Sequence, residues 1–542
     1  MSMLDLLRGP LAERPDAPLL IDAGQGDPVV VTRRAFWQRV AGLRAELEAH
    51  GVGPGACIAT WLPNWSDALV WQFAAVAAGA HVIGINTRYN VEEARHVLSL
   101  ACPAVVAVAH GFLNLQLDAR LRAAFAESTA PAPSIAVIAG PRRPPPTAAE
   151  RATYDIGAGT WTPSAIGEAD ASLTDDPRSL AVAFTTSGST GRPKLAAHTV
   201  GAVAAHARAC AEAGHWTAHS VQIGALPLSG VFGYVPAMAT TAAGGVCVLE
   251  PAFDVPAIVA NMARYRVTHL VGADDIISRL FEAARHRPDA LHSLTHMFFA
   301  DFNGRSSTLA AWAEDRLGLT AAGVYGSSEL FALIAFWRPA DPVPDRWRGG
   351  GRPVSPAIVV RAGDPESGEA LSPGQPGELQ FRGYNVVDDY LGDPARRATT
   401  LTADGWFRSG DLGTVRPDGS FDYLCRAGDA LRLKGFLVEP AEIENRLMAH
   451  PAVTEAKVVG LRSEEGEMQA IAFAVLRPGS EMSSAGLLGW CAEALARYKV
   501  PYALHAIEAM PVTAGVNGTK VRAATLREWA ATLAQDPSAT VG

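Results

Sequence analysis

Patterns that bind structural metals or form disulfide frameworks are missing from this sequence of 542 residues. Its six cysteines lie far apart with no CxxC pair, and no HExxH motif occurs among its fourteen histidines. Two pairs have HxxxH spacing, His215/His219 and His292/His296, but neither has a third ligand in a recognisable motif. We therefore predict neither a zinc site nor a disulfide framework, and the scattered cysteines favour a reducing, cytoplasmic compartment.

Excess basic charge and long apolar segments are lacking as well. The net charge is −9, which argues against a protein that binds nucleic acid through its phosphates. The longest apolar stretch, residues 68–85, is interrupted by Gln72, Gly79 and His81, so it predicts a buried helix and strand and no membrane span. Charged residues within positions 1–17 argue against a signal peptide. The sequence predicts a soluble protein without an integral membrane segment.

The order of predicted elements indicates an α/β fold. Between residues 34 and 317, apolar runs of strand length alternate with helical patterns, for example the predicted strand Cys57–Leu62 and the predicted helix Asp67–Ala78. This alternation is typical of βαβ units in a parallel sheet. The proline-rich stretch 128–148 instead predicts an irregular surface connection. The first part of the chain therefore predicts a large domain built on βαβ-type sheets.

The composition and the pattern of predicted elements change at two later points in the chain. From Arg348, glycines, prolines and short alternating strands indicate a small β-rich subdomain that closes the large domain. Beyond Arg426, mixed helices and strands indicate a small α+β domain that would act as a lid. The chain is also too long for one ordinary core. We predict an N-terminal domain over 1–425, a hinged C-terminal lid over 426–542 and a hinge near 426–429.

A loop rich in Gly, Ser and Thr lies between the predicted strand Leu180–Phe184 and the predicted helix Ala202–Ala213. Residues Thr185–Lys194 read TTSGSTGRPK. Glycines let the backbone approach a phosphate, N–H groups and hydroxyls donate to its oxygens, and Lys194 supplies a cation. The spacing does not fit the Walker A motif GxxxxGK[ST]. The segment indicates a phosphate-binding loop, with a plain surface loop as the alternative.

Two further segments combine glycines with residues suited to nucleotide chemistry. Gly323–Glu329, reading GVYGSSE, offers an aromatic ring that can stack on a base and a carboxylate suited to Mg²⁺ beside phosphates. Gly405–Gly413, reading GWFRSGDLG, places Asp411 in a predicted turn, where its carboxylate can accept both hydroxyls of a ribose. Taken alone, the first segment can equally be a tight turn and Asp411 an ordinary turn aspartate.

The last two segments lie in and beside the predicted lid. Arg426 stands at the predicted domain boundary, followed by Gly428-Asp429, so a cation falls at a hinge. A charged linker is the alternative for this segment. Lys520 lies in a predicted polar turn near the end of the chain, where an isolated lysine would ordinarily be a solvated surface residue.

These five segments, in this order along the chain, resemble the adenylate-forming superfamily, which includes acyl-CoA synthetases, luciferases and the adenylation domains of peptide synthetases. The resemblance extends from Asn86-Thr-Arg88 to Lys520. It implies activation of a carboxylic acid by ATP to an acyl-adenylate, with release of pyrophosphate, and transfer of the acyl group to the thiol of CoA. A stand-alone enzyme that loads the phosphopantetheine of a carrier protein is the alternative. The implied cofactors are ATP, Mg²⁺ and CoA, and the enzyme would be a monomer or a homodimer.

The resemblance also implies roles for individual residues. Tyr325 would stack on adenine, Ser328 would lie near the α-phosphate, and Asp411 would bind the ribose. Lys520 would bridge the substrate carboxylate and the α-phosphate in the first step. The implied catalytic residues are Thr190, Glu329, Arg426 and Lys520, with Glu329 as the metal ligand. The implied nucleotide- and CoA-binding residues are Thr186, Ser187, Gly188, Ser189, Thr190, Gly191, Lys194, Tyr325, Gly326, Ser328, Asp411, Arg426, Gly435 and Phe436, of which Gly435-Phe436 would shape the pantetheine tunnel.

Several positions depart from the pattern of the superfamily. Leu195 follows Lys194 where many members have glycine, Gly428 occupies the usual position of the hinge residue, and Gly230 replaces a frequent histidine. Ala300-Asp-Phe-Asn-Gly304 stands where Gly-Gly-Ala-Pro is usual, which puts the adenine contacts there in doubt.

The implied acyl pocket is mainly apolar, and it lacks the aspartate that amino-acid-activating members place beside the substrate amine. This composition disfavours an amino acid and predicts a fatty or another apolar acid, aliphatic or simple aromatic. The candidate pocket residues are Ser229, Gly230, Phe232, Phe302, Asn303, Gly304 and Leu330.

Overall fold

The computed structural model describes most of the chain. The described residues are 2–24, 27–126, 131–163, 167, 172–186, 193–302, 306–427, 431–433, 436–438, 440–463, 468–480, 482–515 and 518–535. Within these ranges, no helix combines the length and the apolar character needed to cross a membrane.

The helices of the described ranges vary from a single turn to seventeen residues. They are α1 (Asp5–Glu13), α2 (Arg33–Ala49), α3 (Ser66–Ala77), α4 (Val91–Ala101), α5 (Leu117–Phe125), α6 (Ala148–Ala152), α7 (Val200–Ala213), α8 (Val231–Ala242), α9 (Val255–Tyr265), α10 (Asp274–Ala284), α11 (Ser306–Leu317), α12 (Arg396–Thr399), α13 (Pro440–Met448), α14 (Ser484–Ala494) and α15 (Ala523–Gln535). Side-chain caps fix several starts: Thr32 Oγ1 accepts from the N–H of Ala35, and Thr199 Oγ1 from that of Ala202.

The strands form two large sheets and three small ones. Those of the first half are β1 (Pro18–Asp22), β2 (Val29–Thr32), β3 (Cys57–Trp61), β4 (His81–Gly84), β5 (Val105–Ala109), β6 (Ser134–Ile138), β7 (Thr160–Trp161), β8 (Leu180–Thr186), β9 (Lys194–Thr199), β10 (Val221–Gly224), β11 (Val246–Leu249), β12 (His269–Ala273), β13 (His296–Ala300) and β14 (Thr320–Tyr325). Those that follow are β15 (Ala335–Phe336), β16 (Gly350–Pro353), β17 (Val359–Gly363), β18 (Pro376–Arg382), β19 (Asp389–Leu391), β20 (Phe407–Val415), β21 (Phe421–Arg426), β22 (Leu431–Leu433), β23 (Phe436–Val438), β24 (Val453–Arg462), β25 (Met468–Leu476), β26 (Ala503–Ile507), β27 (Val512–Gly515) and β28 (Gly518–Val521).

An eight-stranded sheet has the order β19-β9-β8-β4-β3-β5-β6-β7, and its central pairs are parallel. The expectation of an irregular connection over 128–148 is wrong in part, because β6 pairs in parallel with β5 inside this stretch. Four of the five residues of β6 are buried. Burial of this short apolar run prevailed over the prolines on either side, which had suggested an irregular connection.

A thirteen-stranded sheet has the order β17-β18-β20-β21-β16-β15-β14-β13-β12-β10-β11-β1-β2. Its middle is parallel from β11 to β14, with α9, α10 and α11 in the connections. The β-rich segment after Arg348 has its own apolar core around Phe381, Phe407 and Phe421. Its antiparallel strands nevertheless continue the large sheet through β15 and β16.

The C-terminal region builds a separate small core on the sheet β24-β25-β26. Helices α13 and α14 pack on one side, with Ile443, Leu447 and Leu487 fully buried. Helix α15 buries Leu526 against Phe473 on the other side. The α/β class with a small α+β C-terminal domain is therefore confirmed, whereas the boundary at 425/426 and the hinge stay predictions.

A stack of rings lies where β12 and β13 begin. His269 is 2% exposed and stacks on Trp216 and on His296, with ring centroids 4.8 and 4.7 Å away. Its Nε2 hydrogen-bonds to the carbonyl oxygen of Gly214 at 3.3 Å. Burial, followed by the neighbouring His296, lowers the pKa of His269 to about 3. The imidazole is therefore neutral in the folded protein at ordinary pH.

We expect His269 to make the protein sensitive to acid. Below pH about 6.5 the unfolded chain binds a proton at His269, whereas the folded protein does not. The contribution of His269 to the free energy of unfolding is therefore lost as the pH falls from 6.5 towards 3. The variant His269→Gln should be less stable than the native protein at pH 7.5. This difference should shrink by about 2 kcal/mol between pH 6.5 and 5, measured by urea unfolding. The exposed-site variant His292→Gln is the control, and a difference independent of pH would contradict the expectation.

Candidate active site

The candidate site lies where the carboxyl ends of strands from both large sheets approach each other. The loop after β14 carries the residues Tyr325–Glu329, and β8 ends at Thr186. The two ends touch, because Ser328 Oγ donates to the carbonyl oxygen of Thr185 at 3.0 Å. Ligands of open parallel sheets bind at the carboxyl ends of strands, so this contact marks a site between the sheets.

The predicted phosphate-binding loop connects two antiparallel strands. Thr186 ends β8 and pairs with Lys194, which begins β9. The loop was expected to lead from a strand into a helix, which is wrong, since β9 precedes α7. The reason is tertiary: β9 pairs with β8 on one side and β19 on the other, which fixes the Ala-rich Leu195–His198 as a strand. Five predicted loop residues lie outside the described part of the chain: Ser187, Gly188, Ser189, Thr190 and Gly191.

Two side chains that the motifs did not include hold the ends of this loop. Tyr89 OH and Oγ1 of Thr185, the first residue of the loop, lie 3.0 Å apart. His96 Nε2 donates to the carbonyl oxygen of Pro193, next to the last residue of the loop, at 2.7 Å. The only sequence signal for this role is their closeness to Asn86-Thr-Arg88. The contacts fix the loop ends, and between them Thr186 Oγ1 is buried without a hydrogen-bond partner among the described residues.

Tyr325, Asp411 and Arg426 form one hydrogen-bonded group. The hydroxyl of Tyr325 donates to Asp411 Oδ2 at 2.6 Å, and Arg426 donates to Asp411 Oδ1 at 2.9 Å. Burial raises the pKa of Asp411 above its usual value, against the opposing charge of Arg426 and the bond from Tyr325. Each carboxylate oxygen has two lone pairs, so Asp411 can still accept from a ligand.

The turn predicted for Asp411 is wrong. Asp411 lies within β20 and pairs directly with Arg426 of β21. The flanking glycines Gly410 and Gly413, which suggested a turn, lie within the paired strand β20. Gly410 has φ of +70°, a left-handed conformation that glycine adopts without strain, and the β20–β21 register shifts between Leu412 and Gly413.

The ring of Tyr325 is largely enclosed by other aromatics. It stacks on Phe381, with centroids 5.5 Å apart, and meets Phe421 edge-on at 5.2 Å. Only 6% of Tyr325 is exposed, so little of its ring faces open space for the base that is predicted to stack on it. Its hydroxyl instead contacts Asp411, the residue predicted to bind the ribose.

Glu329 presents an uncommitted carboxylate beside this group. Its backbone carbonyl accepts from the N–H of Val387 at 2.7 Å, while its side chain is partly exposed and makes no ion pair in the described part of the chain. A Mg²⁺ ion beside phosphates needs one or two carboxylates, and phosphate oxygens and water complete its ligands. Glu329 fits that requirement. Within the described residues, no group of three or more His, Cys, Asp or Glu side chains could hold a metal by itself.

Two profiles of known families cover most of the chain. The AMP-binding enzyme family matches residues 8–391, and the AMP-binding enzyme C-terminal domain matches residues 442–515. The chain belongs to the AMP-binding enzyme family. The resemblance to the adenylate-forming superfamily is thereby confirmed.

Relatives of this AMP-binding enzyme resemble it over nearly its whole length. It is 29% identical over 504 residues to a 3-[(3aS,4S,7aS)-7a-methyl-1,5-dioxo-octahydro-1H-inden-4-yl]propanoyl:CoA ligase of Rhodococcus jostii (strain RHA1), covering 91% of this chain and 93% of the relative. It is 30% identical over 485 residues to a feruloyl-CoA synthase of Amycolatopsis sp, with coverages of 88% and 90%. The solved structure of the amide bond synthetase McbA from Marinactinospora thermotolerans has a TM-score of 0.80 at 25% identity, covering 97% of this chain and 99% of that one.

The predicted acyl-pocket residues of this AMP-binding enzyme fall into two places. Ser229, Gly230 and Phe232 lie at the start of α8, where Gly230 occupies the N-cap. Leu330 is fully buried in the apolar core of the β-rich segment, so its side chain has no open surface. Asn303 and Gly304 lie outside the described residues.

Phe302, the remaining predicted pocket residue, lies beside two carboxylates that the pocket prediction did not include. Its N–H donates to Asp274 Oδ1 at 3.3 Å, where β12 meets α10. Burial and the neighbouring Asp274 raise the pKa of Asp301 to about 6. The surroundings of Phe302 are therefore more polar than the apolar lining that was predicted for the pocket. The sequence signal for this polarity is two aspartates that directly follow apolar strands.

The predicted lid residues are described in part. Lys520 lies on β28, opposite Thr513 of β27, so the turn predicted for it is wrong and it belongs to a β-hairpin. Strand β28 lies against α10, the helix that follows the carboxyl end of β12. Phe436 lies on β23, and Gly435 and Gly428 lie outside the described residues.

Proposed function

We propose that this protein joins a carboxylic acid to the thiol of CoA in two steps. A carboxylate oxygen of the acid attacks the α-phosphorus of ATP, the bond to the β-phosphate oxygen breaks, and pyrophosphate leaves. The CoA thiolate then attacks the acyl carbon of the adenylate, and AMP leaves. The observation that carries this proposal is the group Tyr325–Asp411–Arg426 beside Ser328 and Glu329, in an AMP-binding enzyme. The names of the two relatives reported above, one a CoA ligase and the other a feruloyl-CoA synthase, support CoA as the acceptor.

The nucleotide would be held at three points. Asp411 would accept from the ribose hydroxyls, oriented by its bonds from Tyr325 and Arg426. Thr186 Oγ1 and Lys194 would donate to the β- and γ-phosphates, together with the loop between them. Ser328 would lie at the α-phosphate, since its hydroxyl is already placed at the end of β8.

Charge is the main obstacle in the first step, because a carboxylate must approach a phosphate. Mg²⁺ held by Glu329 would neutralise part of the triphosphate charge. Lys520 would place its ammonium between the carboxylate and the α-phosphate. Fixed cations and donors of this kind stabilise the transition state best where water is excluded. Closure of the lid would supply that exclusion, and we propose the hinge near 426–429 for the movement.

We propose an apolar acid, aliphatic or simple aromatic, as the substrate. Gly230, the N-cap residue of α8, adds no side chain there, and Phe232 two residues later would offer an apolar wall. The carboxylates Asp274 and Asp301 near Phe302 would disfavour an acid with a second negative charge on that side.

A screen for pyrophosphate release tests this proposal. Short, medium and long aliphatic acids and aryl acids are offered with ATP, Mg²⁺ and CoA, and a dicarboxylic acid is added as the matched control. We expect pyrophosphate, AMP and an acyl-CoA in equal amounts with at least one monocarboxylic class, and less turnover with the dicarboxylic acid. Parallel reactions replace CoA by a holo carrier protein or by an amine. Turnover with either of these but not with CoA would overturn the choice of acceptor, and formation of ADP would overturn the two-step chemistry.

A further inference from the structure

The chain reverses direction after Glu329 through a conformation that its residues disfavour. Phe331, Ala332 and Leu333 have φ of 71°, 43° and 45°, three consecutive left-handed residues without a glycine among them. Such residues persist only where surrounding contacts enforce the conformation. The segment lies between β14 and the antiparallel β15, and only Leu330 separates it from Ser328 and Glu329. Contacts that hold this segment therefore also constrain the backbone of Ser328 and Glu329.

Two buried imidazoles hydrogen-bond to the backbone of this segment and of Ser328 before it. His198 Nε2 lies 2.8 Å from the carbonyl oxygen of Ser328, and His206 Nε2 lies 2.8 Å from that of Ala332. Both histidines are completely buried. A carbonyl oxygen only accepts, so both rings carry their proton on Nε2 and donate it. The left-handed turn thus receives a donor from His206 at its own carbonyl of Ala332, and the preceding carbonyl of Ser328 receives one from His198.

The ring of Phe331 is the third element of this support. It stacks on His198, with centroids 4.4 Å apart and planes at 20°, and lies 5.0 Å from His206. Phe331 is 1% exposed. Gly326 permits the close return of the chain, because a Cβ there would come within 2.4 Å of the Cα of Ala332. We call Phe331, His198 and His206 the imidazole brace.

The imidazole brace also ties together the two halves of the nucleotide site. His198 lies on β9, which begins with Lys194 at the end of the predicted phosphate loop. Three residues lie between Lys194, the cation proposed for the β- and γ-phosphates, and His198, whose ring supports the loop of Glu329. The hydrogen bond from His198 to Ser328 therefore connects the strand of Lys194 directly to the loop that carries Glu329.

We propose that His198 is a positioning residue, which sets the distance between Lys194 and Glu329 and so determines how the enzyme binds ATP together with Mg²⁺. This inference rests on the proposed function, because it assumes that both residues serve one nucleotide. His198 touches no reacting atom. It acts through the backbone of Ser328, and His206 supports it at Ala332.

Three substitutions separate this role from a merely structural one. His198→Gln keeps an N–H donor at nearly the reach of Nε2. His198→Asn keeps the donor but draws it back from the Ser328 carbonyl, and His198→Leu removes it. We expect the half-saturating Mg²⁺ concentration for ATP binding, measured by calorimetry, to rise about tenfold in the Leu and Asn variants and to return towards the native value in the Gln variant. The exposed histidine variant His219→Gln is the control.

The same variants are compared in acid-dependent exchange of pyrophosphate into ATP and in thioester formation from supplied acyl-adenylate. We expect the exchange to fall with the loss of Mg²⁺ binding and thioester formation to change little. Native Mg²⁺ dependence in a folded Leu or Asn variant would overturn the inference, and so would an equal loss in all three variants. Should the Leu variant fail to fold, the Asn and Gln pair decides. Absence of exchange in the native protein with every acid would overturn the proposed function instead, while the comparison of ATP binding would still test the brace.

Discussion

Replacing Lys520 by alanine should abolish acid-dependent exchange of pyrophosphate into ATP while sparing the second step. Loss of one such charged contact commonly lowers kcat by about 10²–10³-fold. Lys520 would neutralise charge only where the carboxylate meets the α-phosphate. Thiolate attack on an acyl-adenylate that has already formed does not need a cation there. We therefore expect thioester formation from supplied acyl-adenylate to stay within a few-fold of the native rate.

A matched control for Lys520→Ala is Lys499→Ala, because Lys499 belongs to the same small domain. Its ammonium lies 2.7 Å from Glu442 in an ion pair within that domain. Pairs of this kind near the surface contribute little, so this variant should keep both steps. Equal loss of both steps in Lys520→Ala would contradict a lid that serves the two reactions with different faces.

Replacing Asp411 by asparagine should raise KM for ATP by about 10–10²-fold and leave KM for the acid nearly unchanged. The change preserves shape but removes the charge that strengthens hydrogen bonds from a ribose, and bonds to charged groups are worth about 1.5–3 kcal/mol. It also leaves Arg426 without its partner at 2.9 Å. The measurement is initial rates of pyrophosphate release at varied ATP and at varied acid.

The neighbouring Asp404 gives the control for Asp411. Asp404 lies in the same segment of sequence and pairs with Arg361 at 2.7 Å, but it is largely exposed. Asp404→Asn should leave KM for ATP unchanged, because an exposed ion pair contributes little and lies outside the proposed site. A comparable rise in both variants would mean that the effect of Asp411 is structural. An unchanged KM in Asp411→Asn would remove Asp411 from the nucleotide site.

Much of the fold follows from the sequence because local pattern and burial agree. Strand β5 is apolar and buried at every position, and α2 and α3 show helical spacing with clear ends. The prediction fails where tertiary pairing overrides local composition. Strand β9 is Ala-rich but is fixed by strands on both sides, and β6 lies within a proline-rich stretch.

The candidate site, like the fold, could be predicted from the sequence only in part. The motifs identify Asp411 and Arg426 as charged residues of interest, but only the register of β20 and β21 brings them into contact. No local signal marks His198, since a single histidine after Ala197 is unremarkable in sequence. The left-handed residues Phe331–Leu333 contradict local preference altogether. Such conflicts between local and tertiary preference are expected at functional sites, where surrounding contacts sustain them.

The most direct test of the account follows oxygen from the acid. An acid that turns over in the screen is labelled with ¹⁸O in both carboxylate oxygens and incubated with ATP, Mg²⁺ and CoA. Attack of the carboxylate on the α-phosphorus predicts that each AMP formed carries one ¹⁸O atom, while pyrophosphate carries none. AMP without label, or label in a phosphate derived from the γ-position, would contradict formation of an acyl-adenylate.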